Sequence, residues 1–247
     1  MKTNKMQQEN YYVSQKRTIM KRFDELVRVA RIVAESHFGD KMIDVLTEKA
    51  REEFENLLPQ LPDVGGAKSP FTSFMVDSGV TLAMYKACKE HRMENKEIGQ
   101  WMYEIIEGYV DSISSIKKRL ASMMLFSRFS KRRWTKWMAE THNGDYPDNW
   151  LGDYVEGDGK TFEYGLNFTE CGWLKLLRKF GAVEFAPYAC LADYAKMRGI
   201  CVGFKRTQIL SLGHSMCDFR FVKDYETPRG WPPENLEEFR RTEQGTS

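Results

Sequence analysis

Two thiols in this sequence stand beside carboxylates: Cys190 precedes Asp193 by three residues, and Cys217 directly precedes Asp218. The segment "FAPYACLADYAKMRG" (185–199) is predicted to be a helix, with Pro187 near its first turn and Gly199 as its stop. A spacing of three then puts Cys190 and Asp193 on one face. Cys190 falls near the end of the first turn, where unsatisfied backbone N–H groups favour a thiolate and lower its pKa. So placed, the two residues make a nucleophile and proton-handling pair. The alternative is a small helix residue packed on a sheet, with Asp193 in water.

The second pair lies in "GHSMCDFRF" (213–221), a turn feeding a strand. A three-residue loop "GHS" would pair a strand over 201–212 with one over 216–223, setting Leu210 opposite Asp218 and Arg206 opposite Val222. Cys217 then shares a face with Ile209, Phe219 and Phe221. Asp218 shares the other with Arg206, Gln208 and Arg220. Two readings stand side by side. In one, Cys217 is a buried core cysteine and the charges form a solvated cross-strand pair. In the other, the polar face is a pocket in which the planar fork of Arg206 receives a carboxylate.

Cys171 follows "NFTE", where a helix is expected to begin with Thr169 as its N-cap. It has no carboxylate three residues on. Cys88 and Cys201 lack such company and read as structural. Of the four histidines only His214, in the hairpin loop, lies near the cluster. "SKRRWTKW" (130–137) is a basic patch with interleaved tryptophans. A helix face with snorkelling stems accounts for it, and contact with RNA or a membrane is the alternative.

The elements that must position these groups fall into two textures. Residues 1–144 read as a helical region. Its clearest stripe is Ile98, Trp101, Met102, Ile105, Ile106, Tyr109, Val110 and Ile113, which could serve a dimer as readily as a core. Other helices are expected near 23–33, 43–58, 70–91 and 117–141, the last broken near Arg128. "LPQLPDVGGAKSP" is a connector. After "HNGDYPDNW" the pattern changes, and 145–224 read as an α+β domain. A hairpin over 153–168 turns at "GDG", two helices follow, and two strands close a ββααββ antiparallel-sheet unit. Residues 225–247 read as a polar tail.

The bulk numbers narrow the function classes. The 42% apolar and 29% charged residues suit a soluble globular chain. A net charge of +2 is too near neutral to imply a nucleic-acid partner. No run of about 18 apolar residues suggests a membrane span. The polar N-terminus lacks the apolar core of a signal peptide, so a cytoplasmic protein is expected. Five cysteines without a CxxC pair argue against both a disulfide framework and a zinc ribbon.

"ECGWLKLLRKFGAVEFAPYACLADYAKMRG…FKRTQILSLGHSMCDFRF" resembles the L-2-amino-thiazoline-4-carboxylic acid hydrolase family. The Cys171 segment, the Cys190–Asp193 spacing, "KRTQ" around Arg206, Gly213 and "CDFRF" carry the resemblance, with "YPDNW" and "FEYGLNFTEC". It is specific over about 145–222, and only one of type across the helical half. It implies a hydrolase that opens a small cyclic amidine, with a carbamoyl cysteine as product. Cys190, Asp193, Cys217 and Asp218 would be catalytic, and Arg206, Cys171 and His214 would bind the small-molecule substrate. A thiolate could attack the ring carbon, or an aspartate could activate water. No metal or cofactor is required, although three cysteines and His214 could in principle make a thiolate-rich site. The alternative function is a non-catalytic small-molecule-sensing or cysteine-metal-binding module. A homo-oligomer is compatible with either.

Overall fold

A computed structural model describes residues 10–34, 37 and 39–244. A short helix α1 (Tyr11–Ser14), not expected from the sequence, precedes the expected ones: α2 (Lys16–Ala34), α3 (Asp40–Leu57), α4 (Phe71–Glu90), α5 (Asn95–Asp111), α6 (Ser115–Leu125) and α7 (Arg128–Thr141). The anticipated break near Arg128 falls between α6 and α7, where Ser127 caps α7 by accepting from the Ser130 N–H at 3.1 Å. Helix α4 is apolar nearly all round, so it takes the centre of the region, packed against α3 and α5. The Trp101 stripe points inward and is core. The polar reading of the N-terminus falls mostly on residues 1–9, which lie outside the described residues.

The C-terminal half supplies a four-stranded antiparallel sheet, making the fold α+β as expected. Strands β1 (Leu151–Glu156) and β2 (Tyr164–Glu170) precede helices α8 (Gly172–Lys179), α9 (Ala186–Ala189) and α10 (Ala192–Gly199), and β3 (Gly203–Lys205) and β4 (Cys217–Val222) follow. The spatial order is β1-β2-β4-β3. Asp158 builds the "GDG" turn by accepting from the N–H groups of Lys160 and Thr161. One apolar core runs from α2–α5 into the sheet. Close helix contact seats the segment bearing Cys190: a Cβ on Gly99 would lie 2.5 Å from Tyr188, and one on Gly199 2.3 Å from Val110.

Three local expectations need correction. The long final hairpin does not form, because β3 has only three residues and Val222 pairs with Gly203 rather than with Arg206. The predicted single helix over 187–199 is two, α9 and α10, with Cys190 as the C-cap of the first. Thr169 belongs to β2, and Cys171 takes the N-cap position of α8.

The segment expected to be a polar tail is packed as far as it is described. Thr227, Trp231, Leu236 and Glu238 are buried, and α11 (Glu237–Gln244) follows. Thr227 Oγ1 accepts from the Phe204 N–H at 2.8 Å and donates to the Val202 carbonyl at 2.6 Å, so this segment continues the hydrogen bonding at the β3 edge. Residues 245–247 lie outside the described residues.

Candidate active site

Arg206 is the hub of the site. It leaves the end of β3 and is only 3% exposed. Its Nε and Nη2 both donate to Glu238 Oε1, at 3.1 and 3.0 Å. Nη1 donates to Asp193 Oδ2 at 2.9 Å, and Nη2 also to the Cys190 carbonyl at 3.3 Å. The guanidinium sits among the rings of Tyr194, Phe204 and Phe219, 5.2–5.9 Å from their centroids. Burial works against its charge, but Glu238, Tyr194 and Asp193 outweigh that and hold it protonated. Thus Arg206 ties the Cys190–Asp193 turn to the sheet and to α11. The expectation that its fork awaits a substrate carboxylate is corrected: the protein's own carboxylates fill it. The predicted face is corrected too, since Arg206 packs on Phe219 and so on the Cys217 side of β4.

The three thiols singled out in the sequence converge here. Cys171, Cys190 and Cys217 interact electrostatically with one another, and all three with Asp193. Register explains part of this, because Cys217 on β4 lies opposite Phe168 on β2, three residues before Cys171. Burial pushes the Cys171 thiol up to about 12, although the Leu174 and Trp173 N–H groups at the start of α8 pull the other way. Burial also drives Cys190 well above its ordinary value, and Arg206 only partly offsets it. Cys217 is raised for the same first reason. The lowered pKa expected for Cys190 is therefore reversed, because burial outweighs the pull of Arg206. At neutral pH all three carry their protons.

Cys171 and Cys190 nonetheless remain half-buried rather than sealed, and Asp193 keeps about a third of its side chain exposed (34%). The surrounding chain desolvates these groups, yet the cluster is not closed to solvent. Of the two carboxylates that Arg206 grips, Glu238 is buried and Asp193 is the one that solvent reaches.

Asp218 and His214 both hydrogen-bond within the loop that follows β3. Asp218 Oδ1 accepts from the Thr207 and Gln208 N–H groups at 2.8 and 2.6 Å, and Oδ2 from Thr207 Oγ1 at 2.6 Å. These bonds take the N–H groups that a longer β3 would have used, which is why the strand stops. His214 Nδ1 accepts from the Ile209 N–H at 3.0 Å. The Leu210 N–H reaches Cys217 Sγ at 3.3 Å. The three side chains fix the loop 206–216, with Gly213 in the left-handed region at φ +85°. The expected Asp218–Arg220 grouping is replaced by an Arg220 bond to Asn167 Oδ1 at 2.8 Å.

Glu238 and Tyr194 were not picked out from the sequence. Tyr194 Oη donates to both Glu238 oxygens, at 2.9 and 3.0 Å. The available signal was indirect: a buried arginine needs a buried anion, and "ENLEEF" places one between Leu236 and Phe239. Among the described residues, no group of three or more His, Cys, Asp or Glu side chains is arranged to hold a metal ion.

A family model described as L-2-amino-thiazoline-4-carboxylic acid hydrolase matches residues 73–221, more than half of the chain. The match reaches back into α4, earlier than the motifs alone suggest, and takes in Cys171, Cys190, Asp193, Arg206 and Cys217. It stops short of Glu238. Neither a curated protein nor a solved structure gives a match.

Proposed function

Because the chain belongs to the L-2-amino-thiazoline-4-carboxylic acid hydrolase family, we propose that it opens the ring of a small cyclic amidine such as 2-amino-thiazoline-4-carboxylate, with Asp193 as the carboxylate that handles the proton. The observation carrying this reading is the solvent-reached carboxylate of Asp193, set among three protonated thiols and anchored through Arg206. An amidinium is a planar cation, and a partly desolvated carboxylate is its natural counter-ion. Protonation makes the carbon between sulfur and the two nitrogens electrophilic.

Water adds to that carbon while Asp193 accepts one of its protons. The tetrahedral adduct then collapses, and the departing ring heteroatom takes the proton back. The net change is addition of one water and conversion of the amidine unit to a carbonyl, giving carbamoyl cysteine. The raised thiol pKa values favour this carboxylate-assisted route over attack by a resting thiolate. Cys190 and Cys217 act as neutral walls and weak S–H donors, and Cys171 adds a third. Asp218 and His214 act by fixing the loop that carries Arg206 into the site.

Incubating the purified protein with L-2-amino-thiazoline-4-carboxylate and separating the products tests the reading. Catalytic formation of a carbamoyl cysteine supports it, and a thiol titration tells which ring bond broke. Tight binding without turnover would instead make the protein a sensing module.

A further inference from the structure

Helix α6 is amphipathic in the reverse sense for a surface helix. Ile116, Leu120, Met123 and Met124 are 73%, 58%, 63% and 66% exposed, and the helix buries no residue fully. Their spacing, i, i+4, i+7 and i+8, puts them on one stripe about 100° wide. The polar residues are turned inward: Lys118 pairs with Asp111 at 3.4 Å, and Ser122 Oγ donates to the Cys201 carbonyl at 3.3 Å. Beneath α6 opens a cavity of about 870 Å³, walled opposite by Cys201, Val202 and Tyr225. The helix is therefore not a core helix with a ragged edge. Ile116, Leu120 and Met124 look away from the protein, and Met123 stands at the border of the cavity.

The charges around that stripe say what it meets. Arg119 lies on one flank of it and Lys117 on the other, both exposed. Between positions 112 and 139 there are eight basic residues and no acidic one. Arg128, Arg132 and Arg133 continue the pattern on α7, beside Phe129, which is 65% exposed. A second copy of this chain would bring a like-charged surface against it, which disfavours self-association. The apolar side chains share one exposed helix stripe, and the cations spread over two helices rather than around one socket. Long lysine and arginine stems can lie along apolar surface with their charges at the headgroups. We propose that α6, with the start of α7, is a peripheral docking surface for an anionic lipid bilayer, the four apolar side chains entering the interface and the basic residues meeting lipid phosphates. This replaces the solvated helix face expected from sequence, and it does not depend on the hydrolase reading.

Co-sedimentation of the full chain with vesicles tests it, using phosphatidylcholine alone and an equal mixture with phosphatidylglycerol. Binding is expected to the mixture only and to weaken as salt is added. Leu120→Ser with Met124→Ser, and separately Lys117→Glu with Arg119→Glu, are each expected to weaken it by at least about tenfold. All four side chains are exposed, so circular dichroism should be unchanged. Failure to bind the anionic vesicles, or equal binding to both kinds, overturns the proposal. So does a dimer dissociated by the Leu120 and Met124 changes, which would give the face to a second copy. Retention on polyglutamate without vesicle binding would give it to an acidic protein, also overturning the proposal.

Discussion

Arg206 and Glu238 meet out of reach of solvent, the arginine's Nε and Nη2 converging on one carboxylate oxygen at 3.1 and 3.0 Å. The partners come from β3 and from the C-terminal helix, 32 residues apart. Since Arg206 also grips Asp193 and the Cys190 carbonyl, this buried pair sets the position of the Cys190–Asp193 turn. Glu238 thus acts on the site without facing it.

Removing one partner of a buried pair leaves the other charge uncompensated. Glu238→Gln keeps the shape and hydrogen-bonding capacity but halves the negative charge around Arg206. We expect a loss of about 3 kcal/mol in chemical denaturation, together with slower turnover in the protein that remains folded. Unchanged stability would mean that Asp193 alone suffices to hold Arg206.

The raised thiols make stability depend on alkali. Cys171 moves from an ordinary value near 9 up to about 12, and Cys190 and Cys217 move in the same direction. Above the ordinary thiol pKa the unfolded chain releases these protons while the folded chain keeps them, so stability falls as pH rises. The contribution is complete below about pH 8.5 and declines by about 1.4 kcal/mol per pH unit for each thiol held protonated. Urea melts between pH 8 and 10 should show that decline, and Cys190→Ala should make it shallower. Equal slopes in the two proteins would show that Cys190 is not desolvated.

Cys201 ends α10 in the left-handed region, at φ +57°. The Val202 N–H reaches the Met197 carbonyl at 2.9 Å and the Cys201 N–H the Arg198 carbonyl at 3.1 Å, the bonds of a Schellman cap. Glycine adopts that conformation without the Cβ penalty, and Cys201 is exposed, so little packing is lost. Cys201→Gly is expected to raise stability by about 1 kcal/mol, seen as a higher thermal midpoint. A lower midpoint would mean that the thiol makes a contact worth more than the strain.

Much of this architecture was legible in the sequence because it rests on periodicity. The Trp101 stripe, the connector at 58–70 and the placing of helices between two pairs of strands are statements about spacing, and spacing survives folding. The convergence of Cys171, Cys190 and Cys217 was also within reach, through the strands and helices that carry them. The final hairpin was not. Its register depends on whether Asp218 pairs across the strand or captures the N–H groups of Thr207 and Gln208, and alternation cannot tell these apart. The sign of the Cys190 shift failed because burial outweighs the pull of Arg206 there. Glu238 was hidden by composition, since a glutamate in a polar segment gives no sign that it will be wholly buried.

The central claim is that Asp193 handles the proton in hydrolysis of a cationic amidine ring. The most direct test compares wild type, Asp193→Asn and Cys190→Ser for release of carbamoyl cysteine from L-2-amino-thiazoline-4-carboxylate, with circular dichroism confirming that each is folded. The account predicts a fall of about 10²–10⁴-fold in Asp193→Asn and a much smaller one in Cys190→Ser. Full activity in a folded Asp193→Asn protein, or abolition by Cys190→Ser alone, would contradict it.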